Sequence, residues 1–75
     1  MYYFITELQV RPDGIVNSTI TTRSSLAMGL AYYYQRAAAA VASEDFLSVA
    51  LTLQDQEGHI RLNECFETQY KAEEE

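Results

Sequence analysis

The sequence predicts an α+β domain of ββαββ order: a four-stranded antiparallel sheet built from two hairpins, with one long helix packed on one face. Three observations carry this. Two turn signals, Pro12-Asp13-Gly14 and Asp55-Gln56-Glu57-Gly58, each separate stretches of period-two alternation. Between the two pairs lies an uninterrupted run of good helix formers rich in Ala and Tyr.

The first strand is expected over 2–11. Tyr2, Phe4, Leu8 and Val10 fall on one parity, with Thr6 as the weak member, and Tyr3, Ile5, Glu7, Gln9 and Arg11 fall on the other. In the turn that follows, Pro12 presets φ, Asp13 can bond its own backbone, and Gly14 takes positive φ without steric cost. The second strand is expected over 15–21 and is rich in β-branched residues.

Ser24 or Ser25, or earlier Thr22, can cap a helix expected over 26–43. Ala37, Ala38, Ala39 and Ala40 lose almost no side-chain entropy there. On a 3.6-residue wheel Leu26, Leu30, Tyr33, Tyr34, Ala37 and Val41 share one side, which is the expected core face. Glu44 and Asp45 oppose the negative end of the helix dipole and so belong to the exit loop.

A strand over 46–54 is the clearest buried one. Leu47, Val49, Leu51 and Leu53 share one face without interruption, and Ser48, Ala50, Thr52 and Gln54 share the other. The last strand is expected over 59–68 with Ile60, Leu62 and Phe66 inward; Glu64 breaks that parity, which implies either a bulge or an exposed edge. The domain spans 1–70, and 71–75 form an acidic tail. Strand order is not readable from the pattern.

The start in Tyr2-Tyr3-Phe4-Ile5, the Pro-Asp-Gly hairpin, the Ala/Tyr-rich helix, the turn at Glu57-Gly58 and the close near Glu64-Cys65-Phe66-Glu67 resemble short ββαββ proteins of Gram-positive bacteria and their prophages. The resemblance covers nearly the whole chain. It implies the fold, and carries no activity and no functional residue with it.

With 75 residues, one domain is expected, and a chain this size buries only roughly 60% of the surface its unfolded form exposes. Such domains often add disulfides, a metal or a partner subunit. Cys65 and His59 are each the single residue of their kind, so neither an internal disulfide nor a self-contained Cys/His zinc site is available. A partner subunit remains. Eleven acidic residues against five scattered basic ones, a net charge of −6, argue against nucleic-acid binding. A lone cysteine, no basic start and no long apolar run point to a soluble cytoplasmic protein, off the membrane.

No catalytic, cofactor or metal constellation emerges. His59 and Cys65 share strand parity but lie about 20 Å apart along an extended strand, far beyond the reach of a nucleophile–base pair. Glu64 and Glu67 fall on opposite faces of a regular strand and make no carboxylate pair. The most unusual feature is Tyr32-Tyr33-Tyr34, which spans about 200° of helix and cannot all face one core. Tyr33 and Tyr34 fit the buried side, leaving Tyr32 outward beside Met28, Arg36 and Ala39.

Between Leu26 and Ser43 only Arg36 is ionised, whereas a surface helix normally carries a charged outer face. The expected function is therefore a non-catalytic, self-associating interaction or structural module. Its interface would be Met28, Tyr32, Arg36 and Ala39, in a homo-oligomer, a dimer foremost. The opposite sheet face, with Tyr3, Ile5, Ala50 and Cys65 among polar residues, is a second route to an oligomer. A competing reading places a small-ligand or enzymatic site between subunits around Tyr32, Arg36 and His59. A third, an acidic mimic of nucleic acid, would need carboxylates aligned on one surface, and Glu7, Asp13, Asp45, Asp55, Glu57 and Glu67 come from different faces and loops.

Overall fold

The computed structural model describes residues 1–71, so the acidic tail expected over 71–75 lies, from residue 72 on, outside the described residues. Five elements follow one another: β1 (Tyr3–Val10), β2 (Val16–Arg23), α1 (Leu26–Ala42), β3 (Ser48–Asp55) and β4 (Ile60–Glu67). The strands form one antiparallel sheet in the order β2-β1-β3-β4, with β1 and β3 central. The ββαββ architecture is as the alternation predicts.

Both hairpins close by the same chemistry. In the first, Gly14 N–H donates to the Arg11 carbonyl (3.0 Å) and Arg11 N–H to the Ile15 carbonyl (2.9 Å). In the second, Gly58 N–H donates to the Asp55 carbonyl and Asp55 N–H to the His59 carbonyl, both at 3.0 Å. Gly14 and Gly58 hold φ of +88° and +91°, a region that a Cβ disfavours, so each turn needs its glycine. The Asp13 carboxylate accepts from Ile15 N–H in the first turn, and Asp55 accepts from Glu57 and His59 N–H in the second.

Ser25 caps α1, its hydroxyl accepting from Met28 N–H at 3.2 Å. The helix ends at Ala42, with Glu44 and Asp45 beyond it. The sheet-facing side is Gly29, Tyr33, Ala37 and Ala40, flanked by half-buried Leu30, Tyr32 and Arg36. This corrects the expected rotation. Leu26, Tyr34 and Val41, expected in the core, are 37%, 56% and 45% exposed. A helix seats closest to a sheet where its side chains are smallest, so the alanines and Gly29 take the contact line and the bulky residues fall to its margins.

The core is small: Ile5, Tyr33, Ala37, Ala40, Val49, Leu51 and Leu53, with Tyr3, Leu30, Tyr32, Phe46, Leu62 and Phe66 packed against it. The inward face of β3 is the expected one from Val49 to Leu53, but Leu47 precedes the strand and is 47% exposed. In β1 the facing is reversed. Tyr3 and Ile5, expected on the far face, pack under the helix with Glu7, while Phe4, Leu8 and Val10 point away from it. Leu62 and Phe66 face inward as expected, but Ile60 is 60% exposed. The register of β3 with β4 shifts between Leu53 and Gln54, so no bulge occurs at Glu64, and the other expectation holds: β4 is an edge strand and Glu64 is exposed on it. Glu64 keeps the inward parity because its carboxylate accepts a 2.9 Å hydrogen bond from the buried Tyr33 hydroxyl.

Candidate interaction surface

The four residues singled out on the helix share one flank, and the structure divides them. Met28 and Ala39 are exposed. Tyr32 leans onto the first hairpin, where the Thr21 hydroxyl donates to its phenol oxygen (3.2 Å) and the Arg23 guanidinium lies 4.6 Å from its ring centroid. Arg36 reaches under the helix to Glu7, donating to both carboxylate oxygens at 2.7 and 2.9 Å. Tyr32 and Arg36 are thus occupied within the chain. The outer surface of α1 is formed instead by Ala27, Ala31, Tyr34, Gln35 and Ala38 with Met28.

Glu7 is 5% exposed and also accepts from the Gln9 side chain. The Arg36 hydrogen bonds hold its carboxyl below the usual range against the opposing effect of burial. The Tyr33 hydroxyl moves the other way, raised by burial and then by the Glu64 carboxylate beside it. At Asp55 burial pushes upward, but the bonds from His59 and Glu57 N–H and the nearby His59 charge outweigh it, and the carboxyl titrates below its usual value. Asp55 also lies 3.3 Å from His59 Nδ1 and 3.5 Å from an Arg61 nitrogen, so the imidazole serves a hairpin turn. Among the described residues, every buried side-chain polar atom has a hydrogen-bond partner. A cleft of about 250 Å³ beside Glu7, Gln9 and Arg36 is therefore lined by groups already satisfied by one another.

A different surface emerges from the register. Residues directly opposite one another in a ladder point to the same face, so the side of the sheet away from α1 can be read strand by strand. On β1 it carries Phe4, Thr6, Leu8 and Val10; on β2, Val16, Ser18, Ile20 and Thr22; on β3, Ser48, Ala50, Thr52 and Gln54. None of these side chains is ionisable. The ionisable residues of the same three strands, Glu7, Arg23 and Asp55, all lie on the helix side. On β4 the open side has Ile60, Asn63, Cys65 and Glu67.

A one-sided antiparallel sheet usually keeps its apolar residues under the covering layer and polar ones toward water; β3 does so, but Phe4, Leu8 and Val10 of β1 and Val16 and Ile20 of β2 lie on the open side. The cause is partly geometric. A helix is about 10 Å wide, whereas four strands span about 19 Å. No residue of β2 is buried, and Ile20 and Val16 are 69% and 56% exposed. The sequence points to this face as a second route to an oligomer and places Ala50 and Cys65 on it, but assigns it Tyr3 and Ile5 where the structure has Phe4, Leu8 and Val10, because the facing of β1 needs the β1–β3 register.

No helix of the described residues is long and apolar enough to cross a membrane. No protein-family model, curated protein or solved structure matches the chain.

Proposed function

We propose that this chain is a non-catalytic, self-associating structural module of the cytoplasm, and that its copies meet through the open face of the sheet. The observation that carries this is the lack of any ionisable side chain on that face across β2, β1 and β3, in a protein of net charge −6. A second copy is the occupant this favours. Across β2, β1 and β3 two such faces bring no like charges together, and among the described strand residues only Glu67 of β4, at the sheet edge, sets a carboxylate on the open side. Strands of eight residues at about 3.4 Å per residue, spaced about 4.8 Å apart in a four-stranded sheet, give this face roughly 500 Å². Two copies would cover roughly 1,000 Å², the lower bound of a specific interface.

Light scattering on the wild type and on Leu8→Glu tests the reading. Leu8 is 42% exposed at the middle of the open face, so the carboxylate is tolerated by the isolated fold. The expected wild-type mass is a multiple of 8.5 kDa, falling in the variant. A wild-type monomer at every concentration would remove the reading, and an unchanged variant mass would remove the open face from it.

A further inference from the structure

The sheet has two edges, and they are built differently. β4 carries Arg61, Glu64 and Glu67, and its ladder with β3 is interrupted by a register shift. Charges and bulges are the devices that keep an edge strand from pairing with another chain. β2 has neither. Its eight residues pair with β1 without interruption, and from 16 to 22 no side chain is ionisable and none is proline.

The direction of its unpaired backbone groups follows from the ladder. Arg11 N–H donates to the Ile15 carbonyl, and bonded and non-bonded pairs alternate from there along the hairpin. The odd-numbered residues of β2 therefore bond to β1. Consistent with this, the carbonyls of Tyr2 and Val10 accept from Gln56 and Leu47 on the β3 side. The N–H and C=O groups of Val16, Ser18 and Ile20 and the N–H of Thr22 point away from the sheet, along the free edge; the Thr22 carbonyl, on the same edge, accepts from the Arg23 guanidinium at 2.9 Å, a bond that pairing there would replace.

We infer that this edge is where a second copy adds: two chains pair antiparallel along 16–22, making one sheet continuous across both. The inference rests on the self-association reading and adds a second contact to it, since pairing along 16–22 leaves the open face of the sheet free. Opposed residues must share a face, so the residue numbers of each pair sum to an even value. The register that keeps Arg23 and the helix cap outside the ladder sets Thr19 against its own copy. Ser18 then faces Ile20 of the second copy, and Val16 faces Thr22 of it. The Thr19 pair is a close, non-bonded one, suited to a hydroxyl–hydroxyl contact. With no charge on 16–22, the strand has nothing to select an acidic or basic peptide, and its own copy meets no repulsion along it.

Amide hydrogen exchange across a dilution series, paired with light scattering, tests this. At assembling concentrations the Ser18, Ile20 and Thr22 amides should exchange on the order of 100-fold more slowly than in the dilute monomer. Thr19 and Thr21, bonded to β1, should be protected at both concentrations. Ser18→Pro removes an outward N–H without touching the β1 ladder and should abolish protection at Ile20 and Thr22 while Thr19 and Thr21 keep theirs. If the variant fails to fold, the wild-type pattern decides alone. An assembled wild type whose Ser18, Ile20 and Thr22 amides exchange freely overturns the edge and leaves self-association standing. A wild-type monomer throughout overturns both.

Discussion

In the β3–β4 hairpin the large apolar side chains and the helix lie on the same side of the sheet: Val49, Leu51 and Leu53 are essentially inaccessible, and Leu62 and Phe66 pack beside them. In the β1–β2 hairpin Tyr3 and Ile5 pack under the helix with the polar Glu7, Gln9, Asn17, Thr19, Thr21 and Arg23, while Phe4, Leu8, Val10, Val16 and Ile20 point away from it. One hairpin is patterned for the layer that covers it. The other sets most of its large apolar side chains on a face that no described residue of the chain covers. Period-two alternation thus marks a face that avoids water, and the rest of the molecule decides whether that face is covered within the chain.

The sharpest way to break this contrast is to truncate one leucine from each hairpin. Leu51→Ala removes a fully buried side chain and should lower unfolding free energy by about 2–5 kcal/mol. Leu8→Ala removes one that is 42% exposed and should cost less than about 1 kcal/mol at high dilution. Urea unfolding of both variants at two protein concentrations checks the prediction. Where the chain assembles, the Leu8→Ala loss should grow with concentration, because association adds to apparent stability, whereas Leu51→Ala remains the larger loss at both. Equal losses at high dilution would mean that hairpin 1 is covered within the single chain after all.

The same contrast shows what could be read before the structure. The turns were legible because positive φ at Gly14 and Gly58 is local chemistry. The face of β3 was legible because Val49, Leu51 and Leu53 repeat without a competitor on the other parity. In β1 both parities are apolar at the start, and the pairing of Glu7 with Arg36, 29 residues later, accompanies the facing that a strand read alone cannot give. The rotation of α1 is not legible from bulk, since Tyr34 and Val41 outweigh Gly29 and Ala40 on a wheel while the close approach rewards the smaller pair. Glu64 held a usable signal: a buried tyrosine hydroxyl needs a partner, and an acid at an inward position of a neighbouring strand is the natural one. The uncharged open face could be recognised only once β1 was known to lie beside both β2 and β3.

Glu7 and Arg36 give a second, pH-dependent handle on hairpin 1. Removing the guanidinium with Arg36→Ala leaves a carboxylate that is 5% exposed without its cation. Full burial of both partners would make this a loss of about 3–5 kcal/mol; with the Arg36 side chain 34% exposed, about 1–3 kcal/mol is expected at pH 7. The folded-state pKa of Glu7 is depressed, so its contribution is complete above the unfolded value, about 4.3, and is lost as pH falls through the folded value. Urea midpoints from pH 7 to pH 2 should therefore show the gap between wild type and variant narrowing below about pH 4. Asp55, also depressed, titrates in both proteins and cancels in the difference. A gap constant with pH would mean that Arg36 acts by packing its stem rather than by holding Glu7.

The smallest effect belongs at Gly29, where α1 meets one residue from each hairpin. A Cβ added there would stand 3.3 Å from Leu53 Cδ1 and 3.4 Å from Tyr3 Cβ. Replacing a helical glycine with alanine is worth about 1 kcal/mol in propensity. Against it stand Leu53, fully buried with no room to retreat, and a Tyr3 Cβ fixed to the backbone of β1. The two effects nearly offset, so Gly29→Ala should change stability by less than about 1 kcal/mol. Gly29→Val, with two further carbons at the same contact, should lose roughly 1–3 kcal/mol. Thermal and urea unfolding of the two variants measures how tightly the helix is seated across the seam between the hairpins. A full propensity gain from alanine would mean that the helix has slack at this point. Its position over β3 would then be set by Tyr33 and its Glu64 bond, and the uncovered state of hairpin 1 would follow from that anchor rather than from close approach at Gly29.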